Sequence, residues 1–169
     1  MYYIIIRGPA GVGKSVVAKR LAKSLKGYYV SFDTIMRKRR LDKIERGRIK
    51  ASNFIKTNEI AASMAIKSLE RGQVVVFDGC FYHRSQLKNL IRKLRCRHFV
   101  FSLKAPLAKC IENDSKRKTK SRIGPDEVKK VHKLVSKFGY GKCINTSGKT
   151  AEQISREIIK EINQERCLR

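Results

Sequence analysis

The sequence predicts an α/β fold, a three-layer α/β/α sandwich around a parallel sheet of about five strands. Three observations carry this. Short apolar runs alternate with stretches of helical spacing from one end of the chain to the other. The run Val74-Val75-Val76-Phe77 is apolar on both faces, as an inner strand of a parallel sheet must be. Finally, 169 residues of which 41% are hydrophobic suffice for one well-buried core and leave no room for a second sizeable domain.

Taken in order, Tyr2–Arg7 is a first strand ending at Gly8. The stretch 14–25 places Val17, Ala18, Leu21, Ala22 and Leu25 on one helical stripe, and Gly27 stops that helix. Residues 28–32 read as a second strand. A long helical region follows, with Ile60, Met64, Ala65, Ile66 and Leu69 on overlapping faces, closing at Gly72. The third strand, 73–77, is predicted to be central. Helical spacing returns over 86–94 through Leu87, Leu90, Ile91 and Leu94. Residues 99–103 form a fourth strand, after which Pro106 suits the first turn of a helix. Gly124-Pro125-Asp126-Glu127 opens another helix with two acids at its positive end. Lys142–Asn145 is a fifth strand, and Thr150 with Gln153 makes a capping box ahead of Ile154, Ile158, Ile159 and Ile162.

Charge is the compositional outlier. Forty Lys and Arg against 14 Asp and Glu give +26, which draws anions and favours phosphate-bearing partners. The plainer reading is a basic surface that serves solubility. No apolar stretch is long enough for a membrane span, so no membrane partner is expected. The first residues show neither a basic leader nor a cleavage site, and a cytoplasmic location is expected. Five cysteines without a C-x-x-C pair point to reduced thiols and away from a zinc module. His83, His98 and His132 fall on different elements, which argues against metal ligation by histidine.

The strongest local signal follows the first strand. Gly8-Pro9-Ala10-Gly11-Val12-Gly13-Lys14-Ser15 is G-x-x-x-x-G-K-S, between an apolar strand and an amphipathic helix. The glycines let successive N–H groups curl toward phosphate oxygens, and the helix N-terminus adds partial positive charge. Lys14 then reaches the β- and γ-phosphates and the Ser15 hydroxyl can bind Mg²⁺. ATP and Mg²⁺ are the ligands this loop predicts. No Asn-Lys-x-Asp guanine reader is present, and Phe77-Asp78-Gly79-Cys80 offers one carboxylate where an ATPase motor sets an acidic pair. Transfer to a substrate hydroxyl is therefore favoured over hydrolysis.

Asp33 and Asp78 leave the second and third strands on the loop's side of the sheet. A phosphotransferase needs one carboxylate to take the hydroxyl proton and often a second toward the metal. Either aspartate could be the base, and Asp33 could instead be a helix N-cap. The loop Lys116-Arg117-Lys118-Thr119-Lys120-Ser121-Arg122 lies between two helices, and a basic lid around 116–124 could fold over the phosphates. Arg117 and Arg122 are favoured within it, because a guanidinium grips phosphate with a planar fork. Arg37-Lys38-Arg39-Arg40 flanks the acceptor side, while a second basic run spans 84–97 with no acid between Asp78 and Glu112. Tyr82 or His83 could line the acceptor pocket, or simply pack.

These residues resemble P-loop kinases of the nucleoside-monophosphate-kinase-like superfamily. More narrowly, they are similar to the kinase half of phage-type polynucleotide kinases. The resemblance is carried by Gly8–Ser15, by the Asp33 and Asp78 strand exits, and by Asn113-Asp114-Ser115-Lys116-Arg117-Lys118-Thr119-Lys120 with Ile123, Val128, Val131 and Leu134. It implies a single P-loop kinase domain over 1–169. Lys14 and Ser15 would bind ATP and Mg²⁺, Asp33 would be the base for a 5′-hydroxyl of RNA or DNA, and Arg117 would touch the transferring phosphate. From charge and strand-exit position rather than from the resemblance, Arg122 is expected to help hold the nucleotide, and Arg37 and Asp78 to face the substrate. The family's arginine shortly after the catalytic aspartate is Met36 at the nearest spacing here, with Arg37 one residue later. Alternatives are a nucleotide or small-metabolite kinase on the same scaffold, and a nucleic-acid-binding ATPase or switch that transfers nothing.

Overall fold

The computed structural model describes residues 1–45 and 48–167, without the side chains of Arg48 and Lys120. Its main sheet has five parallel strands, β1 (Tyr2–Arg7), β2 (Tyr28–Ser31), β5 (Val75–Gly79), β6 (Arg97–Lys104) and β7 (Lys142–Asn145), in the order β2-β5-β1-β6-β7. Helices α1 (Lys14–Ser24), α5 (Leu107–Ser115), α6 (Pro125–Ser136) and α7 (Ala151–Cys167), with α2 (Phe32–Lys38), α3 (Ala51–Glu70) and α4 (Arg84–Leu94), make the crossovers. The predicted α/β/α sandwich is thus observed. The middle place belongs to β1 rather than to β5, although β5 is an inner strand, hydrogen-bonded on both sides.

Alternation along the strands sorts the core into two layers. Tyr2, Ile4 and Ile6 of β1 with Val76 of β5 face α1, α5, α6 and α7, where Val17, Leu21, Cys110, Val128, Ile154 and Ile158 are buried. Tyr3, Ile5, Val75 and Phe77 face α2, α3 and α4 through Phe32, Ala61, Ala65, Leu69, Leu87 and Leu90. Each such Leu, Ile or Phe contributes about 1.5–3 kcal/mol by leaving water, so both layers are firmly held to the sheet. The register Ile6↔Asp78 and Ser31↔Asp78 then fixes which side chains meet at the C-terminal edge.

Several local expectations shift. The second strand ends at Ser31, because Phe32 already opens α2; the N-cap is Ser31, whose Oγ accepts the Thr34 N–H at 3.3 Å. Asp33 is therefore in the first helical turn and is not the cap. The long helical region divides into α2, a hairpin of β3 (Ile44–Glu45) with β4 (Arg48–Ile49), and α3. Strand β5 runs two residues past its apolar stretch, so Asp78 and Gly79 lie within the ladder rather than beyond it. Pro106 is the residue before α5, while Pro125 starts α6 with Asp126 and Glu127 in its first turn. The capping box forms as expected: the Thr150 N–H donates to Gln153 Oε1 at 2.8 Å and the Gln153 N–H to Thr150 Oγ1 at 3.2 Å.

Candidate active site

The phosphate-type loop spans the gap between β1 and α1, above the sheet edge. Its shape depends on Gly11 and Gly13, with φ of 79° and 93° in the left-handed region. A Cβ on Gly11 would stand 2.0 Å from the Cys110 carbonyl oxygen, so the loop lies directly on α5. Asn113 of α5 also donates to the Gly11 carbonyl at 2.8 Å. No side chain caps α1, and among the described residues the N–H groups of Gly13, Lys14 and Ser15 have no protein acceptor. Free, convergent amides at a helix N-terminus suit a phosphate chain.

Lys14 is 4% exposed and donates to the Pro9 carbonyl at 3.4 Å. Burial opposes its charge, but Cys80, Asp33 and Asp78 around it more than offset that and hold its pKa above the usual lysine value. Cys80 is a thiol at neutral pH, pushed up to about 11 by burial, so the sustaining charges are the two carboxylates. Asp78 is 1% exposed and accepts the Tyr29 hydroxyl at 2.8 Å through Oδ2, while its Oδ1 has no hydrogen-bond partner among the described residues. Burial raises its pKa above the ordinary carboxylate value; Lys14, Ser15 and Tyr29 pull the other way. A buried carboxylate oxygen left without a donor, beside a serine hydroxyl and next to free amides, fits a triphosphate with its divalent cation. Ser15 and Asp78 are the residues that could hold Mg²⁺.

Asp33 lies close enough to influence Lys14, Cys80, Asp78 and Tyr82, yet is exposed and has no hydrogen bond or ion pair among the described residues. Next to it Phe54, Tyr82 and His83 form a cluster with ring centroids 4.7–5.2 Å apart. Arg37 is exposed in the last turn of α2, and Met36 is buried, so Met36 cannot present a polar group to a substrate.

The basic lid is tethered. Asp114, 2% exposed at the end of α5, accepts the N–H groups of Ile123 and Gly124 through Oδ2 at 3.2 and 3.1 Å. Its Oδ1 pairs with Arg117 at 3.2 Å. Arg117 also contributes to the field at Lys14, whereas Arg122 points its Nε at the Arg117 carbonyl at 2.9 Å and is exposed. The structure thus gathers Lys14, Ser15, Asp33, Asp78 and Arg117 at one edge, with Arg37 and Arg122 at its exposed rim. The side chain of Lys120 lies outside the described residues.

Three contributors escaped sequence reasoning. Tyr29 reaches Asp78 only because β2 pairs with β5; Asp114 stands in the stretch that carries the resemblance, but its hold on the lid has no sequence signal; Arg7 looks like a strand end. Arg7 is in fact 1% exposed and donates to Ser102 Oγ and to the carbonyls of Phe81, Val135 and Phe138, tying β1 to the end of α6.

A family model described as an AAA domain matches residues 4–136. The chain belongs to that AAA-domain family. Among solved structures it is similar to a gluconokinase from Sinorhizobium meliloti 1021, at 15% identity over 96% of this chain and 91% of that one, with a TM-score of 0.71. A sugar kinase from Janibacter sp. HTCC2649 matches at 13% identity, 96% and 95% coverage and a TM-score of 0.78. Shikimate kinase from Acinetobacter baumannii, in complex with shikimate, matches at 19% identity, 96% and 93% coverage and 0.64. No curated protein matches by sequence. At these identities the likeness shows a P-loop kinase fold. The narrower resemblance to polynucleotide kinases is not what these structures display. Among the described residues no helix is long and apolar enough to cross a membrane.

Proposed function

We propose that this AAA-domain protein transfers the γ-phosphoryl group of ATP to a hydroxyl of a small acceptor, a metabolite or a nucleotide. One observation carries the reading: Asp33, exposed and unbonded among the described residues, stands within the field of the buried Lys14–Asp78 pair. A base for an incoming hydroxyl must be free of other partners, and a base for this reaction must lie beside the phosphates. The likeness to a gluconokinase, a sugar kinase and shikimate kinase supports a small acceptor over a polymer.

Asp33 takes the hydroxyl proton as the acceptor oxygen bonds to the γ-phosphorus. The bond to the β,γ-bridging oxygen breaks and ADP leaves. Lys14 and Arg117 face the oxygens on which charge accumulates, and the amides of 13–15 hold the phosphate chain in place. Mg²⁺ bound with ATP would neutralise the β- and γ-phosphates, held by Ser15 and Asp78.

A second reading, transfer to a polynucleotide 5′-hydroxyl, is favoured by the net charge of +26 and by Arg37-Lys38-Arg39-Arg40 just past Asp33. Both are tested by incubating the protein with γ-labelled ATP and separate panels of sugar-like and shikimate-like polyols, nucleosides, nucleoside monophosphates and a 5′-hydroxyl oligonucleotide. Label on a small acceptor supports the first reading. Label on the oligonucleotide alone replaces it with the second, and phosphate release with no labelled acceptor removes both.

A further inference from the structure

We propose that α4 carries a docking track for a single-stranded nucleic acid, with Arg84, Lys88, Arg92 and Arg95 meeting successive phosphates of its backbone. These four residues are spaced four, four and three apart, which places them along one side of the helix and its C-cap. All are exposed, while Leu87, Leu90 and Leu94 anchor the opposite side in the core. Four residues of helix rise about 6 Å, a step on the scale of one nucleotide in an extended strand.

Like Arg37-Lys38-Arg39-Arg40, the cations of this ridge lack a carboxylate partner among the described residues, whereas several on α5 and α7 are paired. On α7 and near it, three cations have carboxylate partners: Arg156 with Glu152, Lys149 with Glu157, Lys142 with Glu161. On α5, Lys109 and Lys116 share Glu112. On α4, Lys93 reaches Glu59 at 3.8 Å. Arg84, Lys88, Arg92 and Arg95 have no carboxylate partner among the described residues, and the sequence supplies no acid from residue 79 to residue 111 that could provide one. An open concavity of about 480 Å³, lined by Asn89, Arg92, Lys93 and Arg95, widens the ridge at its far end.

Two features select a nucleic acid strand over other polyanions. A membrane surface or an acidic protein would call for apolar anchors beside the cations, and none of the exposed large hydrophobic residues lies on α4. At its near end the ridge begins one residue after His83, where the half-buried rings of Tyr82 and His83 pack on the buried Phe54 near Asp33. Cations in line with aromatic rings are the recognition chemistry of unpaired strands. The inference goes beyond the phosphotransfer reading: a strand can lie on α4 whether or not its own hydroxyl is the acceptor.

The test is fluorescence anisotropy of the whole chain with 3′-labelled oligothymidylates of two to twelve nucleotides. Affinity is expected to tighten up to about four or five nucleotides and then level off, since the ridge offers about four phosphate contacts. The logarithm of affinity should fall with the logarithm of salt at a slope of about −2 to −3. Lys88→Glu with Arg92→Glu should weaken binding at least tenfold and flatten that slope. Lys149→Glu with Arg156→Glu, the same change in net charge on α7, should leave binding within about twofold. Equal losses in the two double variants would overturn the track in favour of diffuse charge. So would an absence of strand binding, equal affinity for a blunt duplex, or binding only to phosphatidylserine vesicles. MgATP affinity, measured on the same variants, should not change. Its independence separates a failed track from a failed phosphotransfer reading.

Discussion

The donor half of the candidate site and its acceptor half are built in opposite ways. On the donor side, main chain is wedged against main chain at Gly11, Lys14 and Asp78 are almost wholly buried, and Asn113 and Asp114 bind the loop and the lid to α5. On the acceptor side, Asp33 and Arg37 are exposed on a seven-residue helix and hold no partner among the described residues. On the proposed reading, packing sets where a triphosphate would lie, whereas a few surface side chains would set what receives its phosphate. Substitutions at the exposed positions of α2 are then expected to alter the acceptor at little cost to the fold. That accords with sugar and shikimate kinases sharing this architecture at 13–19% identity.

The comparison breaks most sharply at Asp33. Asp33→Asn should reduce transfer by about 10²–10⁴-fold while the thermal midpoint stays put, because the exposed carboxylate makes no hydrogen bond or ion pair among the described residues. An active variant, followed by γ-label transfer, would shift the base to Asp78. Gly11→Ala tests the opposite half: the new methyl meets the Cys110 carbonyl in a left-handed backbone, and urea unfolding should show a loss of about 3 kcal/mol. A stable variant would mean the loop is not pinned to α5.

Asp114→Asn sharpens the role of the lid. Replacing one carboxylate oxygen with an NH2 group weakens both the Ile123–Gly124 tether and the Arg117 pair. We expect turnover to fall on the order of tenfold. The KM for ATP should change less, since the amides of 13–15 remain in place. Equal changes in both would make the tether a matter of ground-state binding.

The smallest effect concerns Asp78. Its pKa is raised by burial, so the folded chain holds that proton more tightly than the unfolded chain does. The ionised carboxylate thus subtracts stability above its folded pKa, and the deficit fades as pH falls to the ordinary aspartate value and below. Asp78→Asn should melt a few degrees above the parent at neutral pH without nucleotide, with the difference closing in acid. A lower melting point at neutral pH would show that its contacts to Tyr29 and Lys14 outweigh its desolvation.

Much of the donor half was legible because its function lies in consecutive residues. The eight residues 8–15 carry loop, lysine and serine together, and strand–helix alternation alone sends Asp33 and Asp78 to the same edge. The rest depends on pairings that no local pattern encodes. Tyr29 and Asp78 are 49 residues apart and meet through strand register; Asp114 accepts from residues nine and ten positions on, across a 3₁₀ turn at Thr119–Ser121. The two-residue strands of the 44–49 hairpin are too short for any periodicity. β5 extends to Gly79 because its neighbours continue the ladder after the apolar run has ended.

The division of labour is tested most directly by titrating MgATP into two variants, Lys14→Met and Asp33→Asn, by calorimetry. Lys14→Met should weaken MgATP binding by about 10²-fold. Asp33→Asn should bind it within about threefold of the parent. If Asp33→Asn lost as much affinity as Lys14→Met, the exposed aspartate would belong to the nucleotide's own site and the two-halved account would be wrong.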